Sequence, residues 1–229
     1  MFSNFAPVQC YSSVGRANQE KRFRKNSSAS RCYYRGNVAV AFELTDPTGA
    51  IDLQIQNFIS SFLFFYSGND YQLGGPNDNK TTLALVPYPT DPSQKSLMAY
   101  GNTTTPSEII RNFIEFNQVA TNPAPRISDA FKMIAELSRS GEPGFVILIG
   151  NDDTYAIQSS DSADILKANG FQIVTVVWKS DGAFFDPLSS GPRYDFRIDH
   201  DADQRIVAVL INNLLDKYFC NGDDRKRAL

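Results

Sequence analysis

The sequence predicts one α/β domain built on an open, doubly wound, mostly parallel sheet of six strands, with one antiparallel strand at its edge. Three observations predict it. Short β-prone runs alternate with segments whose apolar residues recur at helical spacing. Several of those runs are apolar throughout, as strands covered on both faces are. One early pair of runs reads as a hairpin and supplies the antiparallel member. At 229 residues the chain has room for one domain plus tails, given about 100–200 residues per domain. A domain of that size buries roughly 70% of its unfolded surface, so a full core forms without staples.

Residues 1–31 are polar and in part basic (Lys21-Arg22-Phe23-Arg24-Lys25), without helical or strand periodicity. They read as a disordered, solvated arm. The domain is expected over 32–220, with 221–229 as a tail. Val38 to Phe42 is the first strand. In Ile51 to Tyr66, Ile51, Ile55, Phe58, Ile59, Phe62 and Leu63 recur at helical spacing. The aromatic run from Phe62 to Tyr66 closes that helix against the core. Gly74-Gly75 reads as a turn. Thr82 to Val86 is a second strand, cut by Pro87, and Ser96 to Tyr100 is its expected hairpin partner.

Thr105-Pro106-Ser107-Glu108 opens a helix with Ile109, Ile110, Phe113 and Phe116 on its apolar side. Ser128 to Leu137 is another helix, and Phe145 to Ile149 the most apolar strand. Ser162 to Ala168 is helical and stops at Asn169-Gly170. Gln172 to Trp178 is again a buried-type strand, while Tyr194 to Ile198 alternates weakly and suits a sheet edge. Asp201 to Phe219 is the longest helix, with Ile206, Val207, Leu210, Ile211, Leu214 and Leu215 at core spacing. Such a sheet places its ligand crevice beyond the carboxyl ends of the strands.

A net charge of −3 provides no basic footprint for nucleic acid. No apolar run reaches the roughly 18–20 residues a membrane helix needs. The first residues do not form a readable signal peptide. Asn26-Ser27-Ser28, Asn79-Lys80-Thr81 and Asn102-Thr103-Thr104 nevertheless fit the glycosylation sequon, and the last two fall in polar stretches expected to be loops. They point to an extracellular, secreted setting.

Across residues 32–220 the order of elements resembles the von Willebrand factor A family. The matching pieces are VAVAFELTDPTGAIDLQIQNFISSF, TTLALVPY, GFVILIGNDDT, LKANGFQIVTVVW and FDPLSSGPRYDFRID, and the weight lies in their order. The helix-Asn-Gly-strand run ending at Trp178 is similar to nematode secreted members, which often accompany C-type lectin domains. The resemblance implies a disulfide between Cys32 and Cys220 that joins the ends of the domain; Cys10 is left over, free to pair with another chain.

The resemblance also implies a metal-ion-dependent adhesion site, built from Asp-x-Ser-x-Ser after the first strand, a later Thr, and an Asp after the fourth strand. A hard divalent ion such as magnesium needs that oxygen set. Here it is degenerate. One alignment puts Glu43 at the Asp position, with Thr45 and Pro47 at the hydroxyl positions. The other uses Asp46 and Thr48, with Ala50 where the second hydroxyl belongs. Pro125 falls near the expected Thr, Arg126 brings a cation toward the ion's place, and Asn151 replaces the Asp, with Asp152 and Asp153 beside it. The expectation is no resident cofactor, the remaining alternative being a weak magnesium or manganese site on Asp46, Thr48 and Asp152.

Enzymatic signatures are missing from the sequence. His200 is the one histidine, and Asp199-His200-Asp201 reads as a cap of the last helix. No nucleophile elbow, phosphate loop or zinc-ligand spacing occurs. The expected role is therefore recognition or adhesion, not catalysis. A protein or glycan ligand would meet the loop face through Glu43, Thr45, Asp46, Thr48, Arg126, Asn151, Asp152 and Asp153, and a C-type lectin domain would be fused to the chain or act with it. The alternative is a scaffold domain that contacts a partner through its helices; a small hydrolase or nucleotide-binding enzyme is a distant third.

Overall fold

A computed structural model describes residues 36–44, 50–63, 73–78, 80–119, 126–138, 144–151, 159–179 and 183–220. The expected arm over 1–31 and tail over 221–229 lie outside these residues, as do Phe64 to Tyr66.

Among the described residues, five strands form one sheet in the order β2-β1-β3-β4-β5. They are β1 (Asn37–Glu43), β2 (Thr82–Tyr88), β3 (Gly144–Gly150), β4 (Phe171–Trp178) and β5 (Asp195–Ile198). Every pairing is parallel. The helices are α1 (Ala50–Asn57), α2 (Lys95–Met98), α3 (Pro106–Val119), α4 (Ile127–Leu137), α5 (Ser160–Ala168) and α6 (Asp203–Cys220). No helix among the described residues is long and apolar enough to cross a membrane.

The sixth, antiparallel strand expected at Ser96 to Tyr100 is not formed. Asp91 takes the Ser93 N–H on its side chain at 2.8 Å, and Pro92 opens a 3-10 turn whose φ it presets. The turn runs directly into α2, and Tyr100 follows in a bend. Only Met98 of the helix is buried. A cap, a proline and one inward side chain favour a short helix over a strand that would need alternating burial.

Burial follows the apolar runs. All seven residues of β1, β2 and β3 are buried, as parallel strands covered on both faces are, although β2 stands at the sheet edge. β5 is short, only half-buried and marginal in position, which matches its edge reading. Thr175 donates its hydroxyl to Asp195 at 2.8 Å and ties that edge to β4.

Alternation divides the core into two layers. Phe42 stacks on Phe113 of α3 at 4.3 Å, and Phe145 packs against Phe219 of α6. Trp178, on the same face, takes the ring of Phe58 edge-on and donates its indole N–H to Gln54. Phe58 lies where α1 winds wider into a π-helical segment, Phe58–Leu63, with Phe58, Ile59, Ser60 and Leu63 all buried. The wider turn lets three successive residues face inward. Helices α4 and α5 pack on each other and on the opposite face, over β1, β2 and β4.

The helix stops and starts also have local causes. Gly170 closes α5 at φ 87°, a left-handed conformation that suits glycine. Thr105 and Glu108 form a reciprocal cap on α3: the Thr105 hydroxyl accepts the Glu108 N–H, and the Glu108 carboxylate accepts the Thr105 N–H at 3.0 Å. At the last helix the capping acid is Asp203, which accepts the His200 N–H at 2.9 Å. Asp78 closes the expected turn by accepting the Gly75 N–H.

Two helical faces depart from the expected core. Ile206 and Leu210 of α6 are 61% and 44% exposed, and Ile110 of α3 is 43% exposed. Helical spacing located the apolar stripe but drew it one residue too wide. Val207, Ile211 and Leu215 form the inward row of α6.

Candidate functional site at the strand ends

Strand order fixes where a site belongs. The chain moves from β1 outward to β2, then returns to the other side of β1 as β3. At such a reversal the loops above β1 and β3 diverge, and open α/β sheets bind their ligands at the carboxyl ends there.

Glu43 is the last residue of β1 and only 2% exposed. Its Oε2 accepts the backbone N–H of Asn151, just past β3, at 2.8 Å. The structure therefore joins two residues expected at this rim, 108 positions apart in sequence. Tyr88, at the end of β2 and in register with Glu43, donates its hydroxyl to the Ile149 carbonyl at 2.6 Å. Sequence reasoning passed over Tyr88, whose place within an apolar run resembles that of any core aromatic.

Gly150 allows this crowding. A Cβ there would lie 2.1 Å from the Tyr88 hydroxyl, 2.9 Å from the Phe185 ring and 3.2 Å from the Glu43 Oε2. The tyrosine, the phenylalanine and the carboxylate thus converge over one bare backbone position. Phe185 is fully buried, whereas its neighbour Phe184 is 48% exposed. Phe184 is a second residue missed in the sequence, where two adjacent phenylalanines give no sign of which one faces out. Lys179, after β4, has φ 53° and turns the chain away at the same edge.

Arg126 stands at the N-terminus of α4 and is exposed, with no side-chain capping bond. Because α4 leads to the amino end of β3, that helix start faces the same rim. Asp52, 3% exposed in the first turn of α1, is a further carboxylate on the segment that follows β1.

Thr45, Asp46, Thr48, Pro125, Asp152, Asp153, Asn79 and Cys32 lie outside the described residues. Cys220 ends α6. Asn102 is exposed and donates its side-chain amide to the Ser96 carbonyl. It follows Gly101, whose N–H bonds the Leu83 carbonyl near the start of β2. Asn102 therefore lies toward the pole opposite the rim.

No protein-family model matches the chain, and no curated protein sequence matches it. Solved structures do. Proximal thread matrix protein 1 from the mussel byssus superposes with a TM-score of 0.57 at 14% identity, over 80% of this chain and 47% of that one. The pilus adhesin SpaC from Lactobacillus rhamnosus GG gives 0.55 at 9% identity, over 81% of this chain and 30% of that one. The conserved hypothetical protein BatB from Bacteroides thetaiotaomicron gives 0.50 at 11% identity, over 80% of this chain and 99% of that one. The chain thus spans about half the length of the mussel protein. Likeness at these identities is a likeness of fold alone, and it supports the α/β fold that the resemblance implies.

Proposed function

We propose that the chain is an extracellular recognition or adhesion module that binds a protein or glycan through the loops above β1, β3 and β4. The observation that carries this reading is the switch point of the strand order, where Glu43 and Asn151 meet, with Phe184 half-exposed next to the Phe185 that packs over Gly150. Aromatic and arginine side chains at such rims are the usual anchors of a binding surface. A matrix protein and a pilus adhesin of the same fold support the setting. Thr45, Asp46, Thr48, Asp152 and Asp153 would add polar contacts from the neighbouring loops. An N-glycan on Asn102 would hang from the far pole and leave the rim clear. A disulfide between Cys32 and Cys220 and a companion C-type lectin domain belong to the same reading. No catalytic step is proposed.

The test is a binding screen of the full chain on immobilised matrix proteins and a glycan array, repeated with Arg126→Ala and Phe184→Ala together. Binding should fall at least tenfold while thermal unfolding stays within about 2 °C, the scale of a surface change. Undiminished binding by the double variant sinks the rim.

One observation favours a second reading, a scaffold that contacts its partner through helices. Leu53 on α1, Ile110 and Ile114 on α3, and Ile206, Val209 and Leu210 on α6 are all more than 40% exposed. All six lie on helices of the same sheet face. Replacing Ile114 and Ile206 by lysine separates the readings, because it removes binding only if the helices make the contact.

A further inference from the structure

The same rim carries a second conclusion, which deepens the recognition reading and concerns how the rim is held in shape. The resemblance places a divalent ion above β1 and β3, and the described residues do not fit one. The Glu43 oxygen nearest β3 already accepts the Asn151 N–H at 2.8 Å. The space over Gly150 is filled by the Tyr88 hydroxyl and the Phe185 ring. A hard cation needs several oxygens around an open, partly hydrated position. Here the Tyr88 hydroxyl, the Phe185 ring and the carboxylate all crowd the bare backbone of Gly150. Among the described residues no group of three His, Cys, Asp or Glu side chains converges.

We infer that direct protein contacts, Glu43 to Asn151 and Tyr88 to Ile149, hold the ends of β1, β2 and β3 together in place of a cation. The rim is therefore organised without metal, and its binding is insensitive to chelators. Each bond crosses between strands. Glu43 joins β1 to the end of β3, and Tyr88 reaches from β2 across β1 to the same end. A tie of this kind accounts for a carboxylate only 2% exposed at a loop edge, where an unbonded one would stay in water.

The experiment is thermal unfolding of the full chain in EDTA, in magnesium chloride and in manganese chloride, with manganese EPR on the same samples. The wild-type midpoint should be the same in all three, and the EPR signal should be that of free manganese. Glu43→Ala and Tyr88→Phe should each lower the midpoint by about 4 °C or more, with or without metal. Glu43→Gln, whose amide oxygen still accepts the Asn151 N–H, should keep most of the wild-type midpoint. A midpoint raised by either metal, or bound manganese lost in Glu43→Gln, overturns the inference. If Glu43→Ala does not fold, Tyr88→Phe and the wild-type EPR decide. Chelator-insensitive unfolding without rim binding would leave the tie standing and sink only the recognition reading.

Discussion

At the scale of single residues, Glu108 shows how a short motif becomes an energetic element. Its carboxylate accepts the Thr104 N–H at 2.7 Å, the Thr104 hydroxyl and the Thr105 N–H. These bonds, led by the Thr104 N–H, hold its pKa below the usual carboxylate range against a smaller desolvation effect. A depressed folded value means that the contribution is present above the unfolded pKa and lost as pH falls through the folded one. Glu108→Ala is expected to cost about 0.3–1.5 kcal/mol at neutral pH. It should also flatten the acid limb of stability, measured as urea midpoints from about pH 6 down to pH 3. The motif was legible because the cap is written in four consecutive residues. The Glu43 contact was half legible: the strand end marked the position, but the Asn151 N–H that donates to the side chain belongs to a distant segment.

At the scale of elements, the sequence was read well wherever burial on both sides left an unbroken apolar run, as in β1, β3 and β4. It failed at Ser96 to Tyr100, where the capping chemistry of Asp91 and Pro92 outweighed a weak strand pattern. Strand ends were the other blind spot, because Tyr88 and Phe185 look like ordinary core residues until Gly150 brings them together. Gly150→Ala tests that packing. The added methyl meets the Tyr88 hydroxyl at 2.1 Å, and overpacking of this kind costs about 1–3 kcal/mol, to be read from chemical denaturation. The cost should fall in a Gly150→Ala, Tyr88→Phe double variant, since the second change removes the nearest atom. Equal costs in both backgrounds would mean that the hydroxyl is not what crowds the glycine.

At the scale of the whole molecule, the two helix layers are unequal. Among the described residues, the layer of α1, α3 and α6 leaves six large apolar side chains in water, whereas Ile165 is the only such residue on α4 and α5. Apolar groups gathered on one face favour contact over solvation. Light scattering of Ile114→Lys with Ile206→Lys should show less association than wild type at the same concentration, with an unchanged unfolding midpoint. The fold class was legible because alternation of strand and helix is a property of the entire chain. The strand count was not, since it depended on one short segment.

The central place of β1 bears on how the chain acquires its shape during synthesis. Its first residue pairs with Thr82 on one side and with Gly144 on the other, so the first of the described strands must wait until Gly144 and the residues after it are made before both flanks are filled. Contacts of such long range slow folding and leave apolar edges exposed meanwhile. A nascent chain halted before Gly144 would present one side of β1 unpaired, and it is at this stage that a chaperone would find its substrate.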